Sequence, residues 1–323
     1  MSTDIQEAKR VLDIESQSIL DLKDRIDDRF IKAIEIIMAG QAKVVVAGMG
    51  KSGHIGRKLA ATLSSTGTPS LFLHPAESSH GDLGVVTSED VLIVISYGGG
   101  SQELQDLIAY ASRKGVPMIA MTGNMDSELA RSANVVLDIS VKEEACPLKL
   151  APTSSSTATL ALCDALAMAL LKRRGFKEED FAEFHPGGKL GRRLLTRVHD
   201  LMHDNGGLPI VELGSSMVSV VATMTGGDVR GVAAVVDKQG FLKGVVTDGD
   251  LRRHLEKNKN PLEAKVEELM STTPKTIDAD ELAAKALFIM EQFSIQSLFV
   301  VDSASKKPVG LIHLQDLIRA QIR

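Results

Sequence analysis

The chain lacks the residues and segments that mark several protein classes. It has two cysteines, Cys146 and Cys163, in 323 residues, which excludes a disulfide framework and fits a reducing compartment. It has no long run of Lys or Arg, and its formal net charge is -5. A nucleic acid or an anionic membrane surface is therefore not expected as the main partner, although a local basic pocket could still bind a small anion.

Long apolar segments are also missing. Charged residues occur every few positions among the first thirty, so the N-terminus lacks the apolar core of a signal peptide. The most apolar helical stretch, residues 160–171, is interrupted by Asp164 and is shorter than the roughly 20 residues that span a bilayer. We therefore expect a cytoplasmic protein without a membrane span.

Short apolar runs alternate with helical patterns over much of the chain. The runs lie at residues 43–47, 70–73, 91–95, 118–121 and 135–139. Such alternation is typical of an α/β fold with helices around a parallel sheet. We predict a doubly wound, five-stranded parallel sheet in a domain of residues 41–195. Two amphipathic helices within residues 1–40 are predicted to cover this sheet or a partner subunit.

The C-terminal part contains an internal repeat. The segments at 232–237 and 244–251 have counterparts at 297–302 and 310–317. The order strand, turn, strand, helix thus occurs twice in register, which predicts a pair of similar α+β modules. We place these modules at residues 200–258 and 265–323.

Two glycine-rich loops follow predicted strands. The run GMGKSG at 48–53 opens a helix directly after the first strand, and SYGGGS at 96–101 follows the third strand in the same way. Backbone N–H groups at a helix start favour an anion, and open parallel sheets bind ligands beyond the carboxyl ends of their strands. We expect a phosphate group there, with Ser52, Ser96 and Ser101 as side-chain donors.

Two nucleotide-binding alternatives are disfavoured. The first loop satisfies G-x-G-x-x-G, but the dinucleotide fingerprint requires an acidic residue at the end of the second strand. That strand ends at His74-Pro75, and Glu77 lies beyond the proline. A P-loop requires glycine where this chain has Val45. No cofactor is therefore expected.

Longer motifs resemble a known family. They are residues 48–58, 66–69, 80–84, 144–147, 150–153 and 185–188. The N-terminal region resembles the sugar isomerase (SIS) domain, and more closely that of bacterial D-arabinose 5-phosphate isomerases of lipopolysaccharide biosynthesis. The internal repeat resembles the tandem CBS modules that this family carries at its C-terminus.

The resemblance implies an aldose-ketose isomerase. The enzyme would interconvert D-arabinose 5-phosphate and D-ribulose 5-phosphate through an enediol and supply the precursor of 3-deoxy-D-manno-octulosonate. The implied catalytic residues are Lys51, Glu103, Glu144 and His185. The implied further substrate contacts are Gly67, Thr68, His74 and His80. The resemblance also implies an inhibitory zinc at His74 and a homotetramer with shared active sites.

The implied reaction makes two acid-base demands, because a 5-phosphorylated pentose must open its furanose ring before a proton moves between C2 and C1. Each step requires a group with a pKa near 7. Glu103 or Glu144 is expected to move the C2 proton, and His185 to open the ring. Lys51 is expected to neutralise phosphate or stabilise the enediolate.

The loop at 96–101 departs from the family pattern Ser-Asn-Ser-Gly-Glu-Ser. Tyr97, Gly98 and Gly100 replace three of those positions, so a hydroxyl is lost at one position and a carboxylate at another. We expect an effect on phosphate affinity and rate more than on the type of reaction, because the end serines and the backbone donors remain.

The first CBS module carries a candidate ligand site. Thr247 and Asp250 have the spacing with which CBS modules often hold the ribose and phosphate of a nucleotide, whereas the second module has His313 and Asp316. A nucleotide site is therefore one expectation. Purely structural pairing between subunits is the alternative.

Two other functions remain as alternatives. A non-catalytic sugar-phosphate sensor is disfavoured because SIS-domain regulators usually carry a DNA-binding domain first, and about 40 residues precede the first strand here. An SIS isomerase of another sugar phosphate is disfavoured because Glu144, His185 and His80 together match one family, although the shared fold alone does not decide this.

Overall fold

The computed structural model describes residues 2–204, 207–226, 231–257 and 263–322. The chain divides into two compact units, Met1–Phe181 and Ala182–Arg323. Each unit has its own β-sheet structure and its own hydrophobic core. The predicted module ends at residues 258 and 323 and the chain start at residue 1 lie outside the described residues. The other predicted domain boundaries stay predictions.

The first unit has a central sheet with helices on both faces. Its strands are β1 (Val44–Gly48), β2 (Ser70–Leu73), β3 (Val91–Ile95), β4 (Met118–Thr122) and β5 (Val135–Asp138). Its helices are α1 (Thr3–Lys23), α2 (Asp28–Ala39), α3 (Gly50–Ser65), α4 (Pro75–Ser78), α5 (Gln105–Lys114), α6 (Glu128–Ser132) and α7 (Ser154–Arg174). The two predicted N-terminal helices are confirmed as α1 and α2.

The sheet confirms the predicted doubly wound fold. All five strands are parallel, in the order β2-β1-β3-β4-β5. Every residue of β1, β3 and β4 is buried, because helices cover both faces. Alternate residues of β3 face opposite cores: Ile93 packs on the side of α2, α3 and α7, and Leu92 on the side of α5.

Helix α7 is a core helix of this unit. By length and composition alone it could cross a bilayer, but half of its most apolar window is buried inside the unit. Its Leu162, Leu166 and Leu170 pack in the same core cluster as β1 and β3. Cys163 lies on this buried side, where burial raises the pKa of its thiol to about 12, so it behaves as a small apolar residue.

The strand order creates a crevice at one edge of the sheet. The connection after β1 leads to β2 on one side, whereas the next strand, β3, lies on the other side of β1. This reversal is a topological switch point, where ligands bind outside the carboxyl ends of the strands in open α/β sheets. Both predicted anion loops begin at this edge.

The second unit contains two small sheets, and α8 (Glu178–Phe184) runs across the boundary before it. Its strands are β6 (Ile210–Glu212), β7 (Val232–Val236), β8 (Leu242–Thr247), β9 (Thr276–Ile277), β10 (Ser297–Val301) and β11 (Pro308–His313). Its helices are α9 (Lys189–Leu195), α10 (Met217–Thr225), α11 (Asp248–Lys257), α12 (Ala283–Phe293) and α13 (Leu314–Arg319).

The internal repeat is confirmed in this unit. Both sheets have three strands, with orders β6-β7-β8 and β11-β10-β9, and each combines one parallel and one antiparallel pair. The two modules also exchange segments. Met202 packs against the core of the second module, and Val266 packs in that of the first. Each module therefore completes the core of the other.

Candidate functional site

The first glycine loop places two predicted residues at the start of α3. Gly50 adopts a left-handed conformation (φ +52°), which lets the chain turn from β1 directly into the helix. Lys51 and Ser52 then lie in the first helical turn, where unpaired backbone N–H groups and the helix dipole attract an anion. Lys51 is exposed, so its ammonium group is accessible to a ligand.

Lys51 and Ser52 line a cavity of about 220 Å³ at the switch point. Its other lining residues are Met49, Ile55, Tyr97, Pro152, Ser155, Ser156 and Thr159. The cavity thus joins the start of α3 to the end of β3 and to the start of α7. One lysine, one helix N-terminus and several hydroxyls make it suited to a small phosphorylated, hydroxyl-rich ligand.

The second glycine loop is closed by its own hydrogen bonds. The Gly99 N–H donates to Ser96 Oγ at 3.2 Å, and Ser96 Oγ lies 3.5 Å from Ser101 Oγ. Gly99 has φ +66°, and a Cβ there would lie 2.2 Å from Ser127 Oγ, so a side chain at this position would strain the loop. The loop therefore holds its two predicted serines face to face.

Glu144 caps helix α7. Its Oε2 accepts hydrogen bonds from Thr153 N at 2.7 Å, Thr153 Oγ1 at 3.0 Å and Ser155 N at 3.3 Å, and its Oε1 accepts one from Ser155 Oγ. Burial raises the pKa of this carboxyl, but the bonds from Ser155 and Thr153 outweigh burial and hold the pKa below its ordinary value. The negative charge also neutralises the positive end of α7.

Glu103 has a different environment from Glu144. It is exposed, in a short 3-10 helix, Gln102–Leu104, that directly follows the Ser96–Ser101 loop. Helix α4 packs against this short helix. His74 directly precedes α4, and its Nδ1 accepts the Ala76 N–H at 3.3 Å. The exposed His80 follows the same helix.

The structure places two predicted substrate contacts elsewhere. Gly67 and Thr68 precede β2, so they lie at the amino edge of the sheet, opposite the cavity. Thr68 is buried, and its Oγ1 accepts a hydrogen bond from Arg174 Nε at 3.0 Å. Within one chain these two residues are therefore not brought together with Lys51.

His185 belongs to the second compact unit, between α8 and α9. The Gly188 N–H donates to the His185 carbonyl at 3.1 Å, which forms a turn at this point. This division of the chain places His185 and Lys51 in different units, and the predicted domain of residues 41–195 stays a prediction. Its assignment to ring opening stays a prediction.

The zinc prediction rests on His74 alone. Among residues 2–204, 207–226, 231–257 and 263–322, no group of three or more His, Cys, Asp and Glu side chains could hold a metal ion. Because the capping bond occupies Nδ1 of His74, one ring nitrogen is left as a ligand. One such ligand is fewer than the three or four that protein zinc sites usually supply.

The second unit has a larger cavity, of about 580 Å³, between its two modules. Thr247 and Asp250 line it, with the cationic side chains of Arg252, Arg253 and Lys275. Asp250 caps α11: its Oδ2 accepts Thr247 N at 2.9 Å and Thr247 Oγ1 at 2.6 Å, and its Oδ1 accepts a bond from Arg253.

The corresponding position in the second module is closed by a histidine. Asp316 Oδ2 accepts the His313 N–H at 3.0 Å and lies 3.1 Å from His203 Nε2. His313 Nδ1 in turn accepts the Gln315 N–H at 3.2 Å. The two copies of the repeat therefore share a capping aspartate but differ in the groups beside it.

Sequence reasoning missed several cavity residues. The sequence marks Tyr97 as a departure from the family pattern but not as a lining residue. Ser155, Ser156 and Thr159 lie on α7, whose start is unusually rich in hydroxyls for an otherwise apolar helix. That enrichment was the available signal.

The chain is similar to known proteins along nearly its whole length. The family model of the SIS domain matches residues 37–169, and that of the CBS domain matches residues 198–257 and 266–323. The arabinose 5-phosphate isomerase KdsD of Pseudomonas aeruginosa is 50% identical over 318 residues, which cover 98% of this chain and 97% of that protein. The arabinose 5-phosphate isomerase KdsD of Escherichia coli K12 is 45% identical, with 99% and 97% covered.

A solved structure is similar to the first unit. It is an Escherichia coli CFT073 protein in complex with arabinose 5-phosphate, with 40% sequence identity and a TM-score of 0.56, and the match covers 58% of this chain and 100% of that one. The likeness over nearly the whole chain to curated relatives decides the family. The chain belongs to the arabinose 5-phosphate isomerase family, in which an SIS domain is followed by tandem CBS domains.

Proposed function

We propose that this protein interconverts D-arabinose 5-phosphate and D-ribulose 5-phosphate through an enediol. The observation that carries the proposal is the cavity at the switch point, where Lys51 and the start of α3 supply positive charge and hydroxyls line the remaining wall. Its relatives are named for this activity. The phosphate binds by the glycine loops, and the sugar extends toward α7.

We assign the C2 proton to Glu103 and a positioning role to Glu144. A general base needs a free carboxylate with a pKa raised toward neutrality. The carboxylate of Glu144 already accepts four hydrogen bonds, which lower its pKa. Glu103 is exposed at the end of the anion loop, so its carboxylate is accessible to a sugar phosphate bound at that loop. Glu144 instead orders α7, whose Ser155 and Thr159 line the cavity.

Lys51 neutralises the phosphate or the developing enediolate oxygen. His185 remains our candidate for ring opening, and His80 and His74 for sugar contacts. Gly67 and Thr68 lie at the opposite edge of the sheet from the cavity, so in our proposal any substrate contact they make is to the site of another subunit. Inhibition by zinc at His74 stays a proposal that requires ligands from elsewhere.

Assembly as a homotetramer fits the exposed apolar side chains of the first unit. Leu148 and Leu150 are 75% and 80% exposed, and Leu12 on α1 is 66% exposed. Contiguous exposed apolar patches mark protein contacts, and we propose that these leucines contribute to contacts between subunits. Light scattering on the purified protein should give four times the chain mass of 34.6 kDa. We further propose that the enzyme is cytoplasmic and supplies the precursor of 3-deoxy-D-manno-octulosonate.

The first experiment follows ribulose 5-phosphate formation from arabinose 5-phosphate, with ribose 5-phosphate and glucose 6-phosphate as competing candidates. We expect turnover with arabinose 5-phosphate and a kcat/KM at least tenfold lower with the others. Preference for another sugar phosphate would support the second SIS function. Binding of arabinose 5-phosphate without turnover would instead indicate a sensor.

The cavity of the second unit supports a nucleotide site as an additional function. Arg252, Arg253 and Lys275 surround a space of about 580 Å³ that also contains the Thr247 hydroxyl, and an anionic ligand would neutralise these cations. AMP and ATP should raise the melting temperature of the full chain, an effect that R252M should remove and R319M, on α13 outside the cavity, should retain. If neither nucleotide shifts melting, the cavity serves pairing between modules.

A further inference from the structure

Tyr97 links three neighbouring strand ends at the site. Its carbonyl accepts hydrogen bonds from Gly123 N at 2.9 Å and from Thr122 Oγ1 at 3.1 Å, at the end of β4. Its Oη accepts the Val141 N–H at 3.2 Å, beyond the end of β5. Because β3, β4 and β5 are adjacent in the sheet, the tyrosine spans two strand spacings, about 10 Å.

The crossing requires glycine at position 123. A Cβ on Gly123 would lie 2.7 Å from Tyr97 Cε2 and 2.8 Å from Cζ, closer than carbon atoms approach without displacement. The backbone at the residue that follows β4 therefore lies directly against the ring. Tyr97 and Gly123 form a matched pair, in which the size of one depends on the absence of a side chain on the other.

The same ring is a wall of the substrate cavity. Tyr97 lines it together with Lys51 and Ser52, and the residue remains 39% exposed. On its C-terminal side follow three consecutive glycines, whose backbone freedom must be restricted before they can present N–H groups to a phosphate. The hydrogen bonds of Tyr97 fix the backbone directly before these glycines. The Leu129 N–H donates to the Gly99 carbonyl at 3.2 Å and restrains the middle glycine.

The other end of the link leads to Glu144. Val141 precedes Glu144 by three residues, and Glu144 caps the helix that forms the far wall of the cavity. The hydrogen bond between Tyr97 Oη and Val141 N therefore connects the glycine loop of residues 96–101, here called the phosphate loop, to the segment that orders α7. Displacement of a bound substrate by about 1 Å relative to catalytic groups can lower a rate about 100-fold.

We propose that Tyr97 is a positioning residue of the isomerase. Through its bond to Val141 it holds the phosphate loop in register with the Glu144 segment, so that a bound sugar phosphate meets the acid-base groups in a reactive orientation. This inference rests on the proposed isomerase function. Tyr97 thus orders the phosphate loop in a chain that lacks three polar side chains of the family pattern at this loop.

The test compares Y97F with Y110F. Y97F deletes the Oη alone and keeps the ring. Tyr110 is the other tyrosine of the chain, and its Oη donates to the Val86 carbonyl at 3.0 Å, from α5. Each substitution thus removes one side chain to backbone hydrogen bond, with a comparable effect on the melting temperature expected for both. We expect kcat to fall about tenfold in Y97F and less than twofold in Y110F.

Inorganic phosphate provides the readout that separates positioning from phosphate binding. As a competitive inhibitor it should bind Y97F within about twofold of the unsubstituted enzyme, because the backbone bonds of Tyr97 to β4 remain. An unchanged kcat in Y97F would overturn the inference, as would an equal kcat loss in Y110F. A weakened phosphate inhibition at unchanged kcat would also overturn it, since Tyr97 would then act as part of the phosphate site.

A double-mutant cycle gives an independent test. G123A should displace the ring and lower kcat in the unsubstituted enzyme, whereas in a Y97S background it should have little further effect, because neighbouring substitutions are not additive. Additive losses would overturn the inference. If the unsubstituted enzyme turns over no sugar phosphate, the proposed function fails, and this inference fails with it; turnover with a normal Y97F overturns the inference alone.

Discussion

The two compact units each hold a cavity suited to an anion, but they differ in the groups beside the positive charge. In the second unit Arg252, Arg253 and Lys275 line the cavity together with Asp248, and Asp250 is occupied as a helix cap. In the first unit one lysine and a helix start provide the positive charge, and an exposed glutamate, Glu103, follows the anion loop. Cations can bind a phosphate, whereas isomerisation also requires an acid placed to exchange a proton with the bound sugar.

The largest expected effect concerns this free acid. E103Q keeps the size of the side chain but removes the base, so kcat should fall by about 10²–10⁴-fold in an arabinose 5-phosphate assay. E128Q is the matched control, because Glu128 is also an exposed acid in a first helical turn, and it should retain kcat. A kcat of E103Q close to that of the unsubstituted enzyme would contradict the contrast between the units.

The lysine should have the next largest effect. K51M removes a charged donor beside the phosphate, and charge-assisted hydrogen bonds are worth about 1.5–3 kcal/mol, so kcat/KM should fall about 10- to 100-fold. K58M lies on the same helix, and Lys58 pairs with Asp164 outside the cavity. If K58M were as impaired as K51M, a general effect on α3 would explain both results.

Glu144 should affect stability before chemistry. E144Q removes a cap of α7 and should lower the free energy of unfolding by about 1–2 kcal/mol at pH 7. The folded-state pKa of Glu144 is lowered from 4.5, so its contribution is present above that pH and is lost as the pH falls through the folded-state pKa. The difference in melting temperature between E144Q and the unsubstituted protein should therefore narrow as the pH is lowered below 4.5. A constant difference would contradict an ionised cap.

The smallest effect is a gain. A Cβ on Gly98 has no atom within 4 Å, so G98S can restore the hydroxyl of the family pattern without strain. One added hydrogen bond to phosphate, worth about 0.5–1.5 kcal/mol, should lower KM about two- to tenfold. Gly84 also has open space around it, outside the cavity, and G84S serves as the control. An unchanged KM in G98S would place the phosphate away from this loop.

The fold was predictable where the sequence pattern has one physical explanation. Runs such as Val91–Ile95 are apolar at every position because both faces of the sheet are covered, and the repeat of the second unit appears as repeated letters. The first glycine loop was likewise predictable, because Gly50 and Lys51 follow a strand directly. These signals are local in the sequence.

The site was predictable in part. The resemblance nominated both Glu103 and Glu144, but the sequence could not assign them different roles. The hydrogen bonds that occupy Glu144 come from Thr153 and Ser155, nine and eleven residues away. The sequence also could not show that Tyr97 reaches Val141, 44 residues on. Such contacts depend on strand order, which no local pattern contains.

The most direct test of the account is exchange of the C2 proton of arabinose 5-phosphate in heavy water, followed by proton magnetic resonance. We predict exchange together with ribulose 5-phosphate formation in the unsubstituted enzyme, a reduced rate of both in E144Q, and loss of both in E103Q. Normal exchange in E103Q, or bound arabinose 5-phosphate that never exchanges its C2 proton in the unsubstituted enzyme, would contradict the assignment of the chemistry to this site.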